Sequence, residues 1–287
     1  MASFTFTPSH PTFVAEARGP DLREVHDAAA LAELREGMER YGVLVFRNQP
    51  LTDAEQLAFA RRFDGTLHTK TGISALSKNR FGNEALTDIS NVDENGDVLD
   101  AGDRRRMYGL ANRLWHTDAS FENPPGRFSL LSARVVPAVG AETEFADMRA
   151  AWDALPPARQ AALAGLTVHH SIAYSREVLG FSFDAGERER LRGNPQPLVR
   201  HSTRTGRRSL YLASHAEDVI GMPRPEGRLL LRDLMEHATR PQFVHSHAWH
   251  DHDLVIWDNR TTMHRATAFD DRQQRRELRR VTTLDLD

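Results

Sequence analysis

The sequence predicts a mainly β fold with helical insertions, of the jelly-roll type. Short apolar or alternating runs, which are typical of strands, recur along the chain and are bounded by turn residues. Segments with helical periodicity stand between several of these runs. Many short strands separated by turns, with helices inserted among them, are typical of a jelly roll.

The N-terminal part of the chain has two clear helix signals. One amphipathic run ends at Gly42, a usual C-terminal stop, and Thr52 with Glu55 fits a capping box that opens the next helix. Residues 68–106 are largely polar and irregular. In chain order we predict a helix over Ala28–Tyr41, a strand over Gly42–Phe46, a helix opened by Thr52 that runs to about Phe63, and an extended piece over Asp88–Val92.

The C-terminal part supplies most of the predicted strands. Asp147 is a favourable helix N-cap, Pro157 marks a further helix, and Thr205-Gly206 indicates the turn of a hairpin. In chain order we predict strands over Phe128–Val136 and Thr143–Phe145, helices after Asp147 and Pro157, a hairpin of Leu198–Arg200 with Ser209–Ala213, a helix over Pro225–Thr239, and strands over Leu254–Trp257 and Glu277–Leu284.

Composition excludes several classes of protein. The 287 residues are 40% hydrophobic, which allows a substantial core, and they include no cysteine, which rules out disulfides and thiolate metal sites. A net charge of −3 gives no basic field that would attract nucleic acid. No apolar run reaches the ~20 residues of a membrane span, and the first residues lack the features of a signal peptide. We therefore expect a cytoplasmic protein with no membrane partner.

The tripeptide His116-Thr117-Asp118 is the strongest chemical signal in the chain. Side chains two positions apart face the same way on an extended strand, so one strand could offer an imidazole and a carboxylate to one metal ion. His264, 148 residues after His116, follows the apolar strand that ends at Trp257. Two histidines and a carboxylate that leave other coordination positions open form the facial triad of a non-haem Fe(II) oxygenase.

The pattern of a histidine two residues before an acid is weak by itself. With 14 histidines and 40 acidic residues, about two matches are expected by chance, and the chain has two. The second match, His215-Ala216-Glu217, opens into a polar turn and has no comparable histidine downstream. We therefore expect His215 to contact substrate, if it has a functional role, and not to bind metal.

A histidine-rich connection is the rival metal site. His245, His247, His250 and His252 fall within eight residues and could bind Zn(II) or Ni(II). The segment nevertheless precedes an apolar strand as a polar loop, where solvated histidines are unremarkable.

Several motifs in a single order resemble the taurine/2,4-dichlorophenoxyacetate dioxygenase family, closest to its aryloxyalkanoate dioxygenases. The motifs are Trp115–Asp118, Trp257–Arg260 with His264, and Arg275–Arg280, and the similar segments are Gly42–Arg47, Glu55–Phe63 and Phe145–Leu155. The resemblance implies a single domain over residues 1–287 with that family's fold, a double-stranded β-helix (jelly roll) with helical insertions. It also implies Fe(II) as cofactor, 2-oxoglutarate as cosubstrate and O2 as oxidant, with His116, Asp118 and His264 as catalytic metal ligands.

Arginines near the C-terminus are the candidates for binding carboxylates, because a guanidinium is a planar and permanently charged partner. On a strand, Arg276 and Arg280 share one face and Arg275 lies on the other. The resemblance implies that Arg276 binds 2-oxoglutarate and that Arg280 faces the substrate. The spacing of 12 residues from His264 to Arg276 is one longer than we expect for the family, which leaves Arg275 as an alternative.

Other binding residues follow from the same resemblance. Thr143 is similar to the threonine that hydrogen-bonds the cosubstrate, although it could be a simple strand residue. The candidate substrate residues are Ser90, Asn91, Asn112, Phe121, His215 and Arg280. For the loop residues among them, ordinary packing is the competing explanation.

We therefore expect an Fe(II)/2-oxoglutarate-dependent dioxygenase that hydroxylates a small carboxylate, above all an aryloxyalkanoate whose ether would break to a phenol and an oxo acid. A taurine- or alkylsulfate-type enzyme is the alternative within the class. A non-catalytic jelly-roll binding protein is the alternative outside it. The expected partner is an acidic small molecule, and self-association into a homo-oligomer is compatible with the sequence.

Overall fold

A seven-stranded sheet and a three-stranded sheet form the centre of the structure, a computed structural model that describes residues 3–69 and 80–286. The strands are β1 Thr5–Pro8, β2 Ala15–Arg18, β3 Val43–Phe46, β4 Thr87–Ser90, β5 Gly126–Val135, β6 Thr143–Asp147, β7 Thr167–His170, β8 Asn194–Pro197, β9 Val199–His201, β10 Arg208–Leu210, β11 Ala216–Val219, β12 Val244–His247, β13 Leu254–Asp258, β14 Thr262–Ala266 and β15 Glu277–Leu284. The helices are α1 Ala28–Tyr41, α2 Asp53–Asp64, α3 Arg104–Leu110, α4 Met148–Asp153, α5 Pro157–Leu163, α6 Ile172–Glu177, α7 Ala185–Arg190 and α8 Arg224–Ala238.

The larger sheet has the order β1-β2-β3-β13-β5-β15-β4, and its pairs are antiparallel except for β2 with β3. The smaller sheet has the order β12-β6-β14. A further three-stranded sheet, β11-β7-β8, and the hairpin of β9 with β10 complete the strand pairing of the described residues.

Alternation along the strands separates two apolar layers. On β13, Leu254 and Ile256 pack with the core that contains α1 and α2, whereas Val255 and Trp257 face the opposite way. The ring of Trp257 meets that of Phe145, from β6 of the smaller sheet, at a centroid distance of 5.5 Å. The two sheets therefore pack face to face, and helices cover their outer faces.

The predicted caps explain where the early helices begin and end. Gly42 ends α1 in the left-handed conformation (φ 73°), which a glycine adopts without strain. Thr52 and Glu55 form both hydrogen bonds of a capping box at the start of α2. Asp147 caps α4 by accepting from the backbone of Arg149 and Ala150. These predictions from sequence are confirmed.

Other elements were not predicted. The helix α3 starts inside the segment expected to be irregular, and the sequence predicted no strand for β14, which carries His264. The strand β8 has the sequence Asn-Pro-Gln-Pro, which lacks any apolar alternation. The two short strands, β8 and β14, form because neighbouring strands supply their hydrogen bonds, and their own residues carry no periodic signal. Among the described residues, no helix is long and apolar enough to span a membrane.

A buried histidine links β7 to the turn that follows Asp118. His170 is fully buried, its Nδ1 lies 2.9 Å from the Ser120 hydroxyl, and its ring stacks on Tyr211 at 5.6 Å. Burial lowers the pKa of His170 to about 3. The unfolded chain binds a proton at this residue below about pH 6.5 and the folded chain does not, so acid favours unfolding.

We expect His170→Gln to flatten the acid limb of the stability curve. Between pH 7 and pH 4.5 the metal-free wild type should lose roughly 2–3 kcal/mol more of its free energy of unfolding than the variant. The other buried histidines contribute equally to both proteins, so their effect cancels in the difference. Urea unfolding at a series of pH values measures the free energy of unfolding of each protein, and the two curves are compared. Parallel curves for the two proteins would contradict this expectation, because they would show that folding leaves the pKa of His170 unchanged.

Candidate metal centre and active-site cavity

Three potential metal ligands converge between the two sheets. One ligand atom each from His116, Asp118 and His264 lies within 4.8 Å of the others, and all three residues are buried. Nε2 of His116 is 3.9 Å from Oδ1 of Asp118, and Nε2 of His264 is 3.6 Å from Oδ2. Within residues 3–69 and 80–286, no other group of histidines and acids comes together in this way.

The two histidines are held together by the backbone. The amide of His116 donates to the carbonyl of His264 at 2.9 Å, and the amide of His264 donates to the carbonyl of His116 at 2.8 Å. This antiparallel pairing is an isolated bridge, so the prediction that one strand carries His116 and Asp118 is wrong. The chain turns from Asp118 onward, and Ala119 has a φ of 53°.

Hydrogen bonds orient the first histidine. Nδ1 of His116 lies 2.7 Å from the carbonyl of Leu114, where it acts as the donor because a carbonyl only accepts. Nε2 then carries the lone pair that a metal needs. Trp257 packs beside His264 with ring centroids 4.6 Å apart.

A small network fixes Asp118. The hydroxyl of Ser129 donates to Oδ2 at 2.7 Å, and Asn259 accepts from the amide of Asp118 at 3.0 Å while donating to Ser129 at 2.9 Å. Nε1 of Trp257 donates to the same Asn259 oxygen at 3.0 Å. Nη1 of Arg280 donates to Oδ1 of Asp118. Both carboxylate oxygens are thus held by protein groups.

The protonation states suit a metal site. Burial lowers the pKa of His116 and places that of His264 well below its usual value, so both imidazoles are neutral near pH 7. Burial alone would raise the pKa of Asp118, but Arg280 and its other neighbours hold it below the usual value. Neutral imidazoles and an ionised carboxylate are the forms that bind a divalent cation. The residues therefore fit an Fe(II) ion.

A cavity of about 700 Å³ opens beside His116 and Asp118. Phe121 and Ile172, which line it, belong to a small apolar cluster, and Leu110 and Phe269 extend the apolar surface. The remaining lining is rich in arginine. An apolar wall facing cations near a metal site can hold a molecule with an apolar body and an acidic end.

Arg276, which strand alternation places on the same face as Arg280, lies in the cavity wall. Its side chain lines the cavity, is buried, and makes no hydrogen bond or ion pair with another described residue. Burial lowers its pKa to about 10, so it stays charged at neutral pH. Arg275 is instead 51% exposed and pairs with Glu277. A buried guanidinium without a counterion fits the distal carboxylate of a keto acid, which favours Arg276 over Arg275.

Asn91 and Ser90 line the cavity, but their polar atoms are used within the protein. Asn91 accepts from the backbone amide of Arg276 at 2.8 Å and donates to the carbonyls of Asp271 and Gln274, both at 2.9 Å. Ser90 is hydrogen-bonded to Asp88 and Arg80. The side chain of Asn91 therefore positions the loop that leads to Arg276. Contact of Ser90 and Asn91 with a substrate remains a prediction.

The other predicted substrate residues also line the cavity. Asn112 and Phe121 belong to its wall, as does His215, whose ring lies 5.9 Å from that of His116 and 5.0 Å from that of Phe121. Nδ1 of His215 is 2.9 Å from the Ser175 hydroxyl. Arg280 lines the cavity as well, where its guanidinium already pairs with Asp118. Direct contact of these residues with a substrate remains a prediction.

Thr143 lies away from the cavity lining. It is buried at the start of β6, and its hydroxyl accepts a hydrogen bond from Nε1 of Trp249 at 3.0 Å. The structure thus gives Thr143 a partner within the protein, and its contact with the cosubstrate stays a prediction.

The histidine-rich connection holds no metal cluster among the described residues. His247 is buried with Nε2 3.4 Å from Asp253, the His250 side chain is 71% exposed, and Arg47 pairs with Asp253. These contacts tie the loop to the end of β3 in the larger sheet, and they give His247 and His250 partners within the protein.

Sequence reasoning missed Arg176, a buried cavity residue on α6. It stands in a short stretch, Tyr174-Ser175-Arg176-Glu177, that carries no motif. No signal in the sequence distinguishes this arginine from the many exposed ones. Its position follows only from the fold.

The chain is similar to known dioxygenases over nearly its whole length. The family described as taurine catabolism dioxygenase TauD, TfdA family matches residues 5–282. The chain is 44% identical over 286 residues to the alpha-ketoglutarate-dependent 2,4-dichlorophenoxyacetate dioxygenase of Cupriavidus pinatubonensis, which covers 99% of this chain and 98% of that protein. It is 35% identical over 282 residues to the (S)-phenoxypropionate/alpha-ketoglutarate-dioxygenase of Sphingobium herbicidovorans, with 95% and 92% covered. The crystal structure of AAD-2 in complex with Mn(II) and N-oxalylglycine has a TM-score of 0.94 and 42% identity, covering 99% of each chain.

We expect His116→Ala, Asp118→Ala and His264→Ala each to weaken binding of Mn(II) or Fe(II) by more than about 100-fold, since loss of a ligand should exceed the effect of losing an outer-shell partner. Anaerobic calorimetric titration measures the affinity. His250→Ala is the matched control, because it removes a histidine from the rival site and should bind metal as the wild type does. Normal affinity in any of the three ligand variants, or a loss in His250→Ala, would contradict the assignment.

Proposed function

The chain belongs to the TauD/TfdA dioxygenase family, and from that premise we propose that it is an Fe(II)- and 2-oxoglutarate-dependent dioxygenase that cleaves aryloxyalkanoates. One observation carries the proposal. A buried set of two histidines and a carboxylate borders a cavity that combines an apolar wall with buried arginines that have no acidic partner among the described residues. The relatives named for 2,4-dichlorophenoxyacetate and phenoxypropionate support this substrate class.

His116, Asp118 and His264 would hold the Fe(II). When bound, the iron supplies the activation of O2, coupled to oxidation of 2-oxoglutarate to succinate and CO2. The chain's own residues bind and orient the reactants. Arg276 holds the distal carboxylate of 2-oxoglutarate through a charge-assisted contact, so the keto acid end points toward the triad. Asn91 keeps Arg276 in place, because its side-chain oxygen accepts a hydrogen bond from the backbone amide of Arg276.

The substrate's aryl ring lies against Phe121 and Ile172, which together provide apolar surface. Its acid end faces the cationic side of the cavity near Arg280. This orientation presents the carbon beside the ether oxygen to the metal centre. Hydroxylation of that carbon gives a hemiacetal, which breaks its carbon–oxygen bond to release a phenol and an oxo acid. Enclosure by the wall keeps water from the reacting carbon.

The fold and setting belong to the same proposal. The two packed sheets are those of a double-stranded β-helix, and one dioxygenase domain spans residues 1–287. The enzyme works in the cytoplasm on a small acidic molecule. Self-association is compatible with this activity and is not required by it.

A substrate panel scored by succinate release tests the proposal. With Fe(II) and 2-oxoglutarate, we expect aryloxyacetates and aryloxypropionates to raise succinate formation and to release a phenol in equal amount. Taurine and alkyl sulfates should give little. Sulfite or sulfate release would indicate the alternative within the class. No succinate with any compound, despite normal metal binding, would indicate a non-catalytic binding protein.

We expect Arg276→Ala to raise the KM for 2-oxoglutarate by about 30-fold to several-thousand-fold, because loss of a buried charge-assisted contact costs roughly 2–5 kcal/mol. Arg275→Ala is the matched control, since it removes a neighbouring arginine that faces outward and pairs with Glu277. Its KM should stay within about twofold of the wild type. A larger effect of Arg275→Ala than of Arg276→Ala would show that Arg275, and not Arg276, binds 2-oxoglutarate.

A further inference from the structure

Most arginines that line the cavity already have a carboxylate partner in the protein. The partnered ones are Arg80 with Asp88, Arg104 with Glu187, Arg105 with Asp103, Arg106 and Arg113 with Asp271, and Arg280 with Asp118. Among the described residues, the lining arginines without such a partner are Arg176 and Arg276. The proposed reaction brings two carboxylates into the cavity that need a cation from the protein: the distal carboxylate of the cosubstrate and the acid group of the substrate. The cosubstrate's other carboxylate belongs to the keto acid end that faces the metal ligands.

Arg176 is built into the wall beside the metal centre. Its Nη1 donates to the Ser175 hydroxyl at 3.0 Å, and that hydroxyl is 2.9 Å from Nδ1 of His215, whose ring is 5.9 Å from that of His116. Nε of Arg176 is buried and has no hydrogen-bond acceptor within residues 3–69 and 80–286. Two hydrogen bonds and one ring contact therefore connect this guanidinium to a predicted metal ligand.

The free charge of Arg176 is unfavourable unless a ligand compensates it. The residue is 7% exposed, and burial lowers its pKa to about 10, which still leaves it protonated at neutral pH. A buried charge without a counterion costs stability. Such a cost is typical of a group that is kept for binding.

Arg176 and the apolar wall belong to one surface. Ile172 lies four residues earlier on α6, so its side chain and that of Arg176 share a face of the helix, and both line the cavity. A molecule that packs on Ile172 and Phe121 would therefore reach Arg176 with a polar end.

We propose that Arg176 binds the carboxylate of the aryloxyalkanoate, and that it forms with Arg280 a two-arginine anchor for the acid end of the substrate. This inference rests on the proposed function. Arg280 shares its charge with Asp118, whereas the whole charge of Arg176 is available to the substrate. The spacing between this anchor and the metal ligands then sets which carbon is hydroxylated, and an acid is preferred over a neutral ether of the same shape.

The principal test compares Arg176→Gln with the wild type on an aryloxyacetate and on the matching aryloxyacetamide, which has the same shape without the charge. We expect the KM for the acid to rise by roughly 30-fold or more, and the KM for the amide to change by less than about threefold. Arg176→Lys keeps the charge and loses the planar fork, so it should restore part of the affinity for the acid. Arg188→Gln, which removes an exposed arginine paired with Glu177 just outside the cavity, is the matched control and should behave as the wild type does.

Two further measurements separate binding from a merely structural role. Affinity for 2-oxoglutarate, titrated into the Mn(II)-loaded protein, should be the same in Arg176→Gln and the wild type. The thermal midpoint of the ligand-free variant should equal or exceed that of the wild type, since a buried uncompensated charge has been removed. If Arg176→Gln melts lower, Arg176→Lys carries the kinetic comparison.

An unchanged KM for the acid in Arg176→Gln would overturn this inference alone. Equal losses for acid and amide, or a parallel loss of 2-oxoglutarate affinity, would also overturn it, because they would show a general disturbance of the site. Failure of the wild type to form succinate with any aryloxyalkanoate would overturn the proposed function, and this inference with it.

Discussion

The paired backbones of His116 and His264 are the contact on which the rest of the site depends. These residues are far apart in the sequence, and two hydrogen bonds of 2.9 Å and 2.8 Å fix their separation. Because backbone groups make the contact, it leaves the imidazoles of both histidines free to bind metal. Asp118 lies two residues after His116, and Ser129 and Asn259 hold it from the larger sheet. The metal centre is thus assembled from both sheets, and neither sheet alone could form it.

Strand alternation between the sheets decides what the metal centre faces. On β15, Leu278 packs with the inner layer and Val281 with the helix-facing core, which fixes the parity of the strand. Arg276 and Arg280 share the inward face with Leu278, while Arg275 and Arg279 turn toward Glu277 on the outer side. A shift of one residue in this register would exchange the inner and outer arginines. The parity that packs the core therefore also selects the arginines that reach the cavity.

Sequence reasoning was most successful where local chemistry determines the outcome. Caps and apolar runs predicted α1, α2, β5 and β13 closely, and the short motif at His116 with the distant His264 predicted a cluster that the structure brings together. It failed where the element depends on partners. The strand around His264 is one example, since its hydrogen bonds come from β6. Arg176 is another, because its burial results from the packing of α6 beside the cavity and not from any feature of its own sequence.

The distribution of charge in the cavity shows how stability and binding are divided. Arg106 and Arg104, both on α3, pair with Asp271 and Glu187, and these ion pairs hold α3 against its neighbours. Deeper in, Arg176 and Arg276 are desolvated but have no counterion within the described part of the chain. Pairing them internally would make the free protein more stable, and it would also occupy the donors that an incoming carboxylate needs. The inner arginines therefore lower the stability of the empty site. A ligand carboxylate that reaches one of them forms the ion pair that the protein does not form internally, and this pairing stabilises the complex.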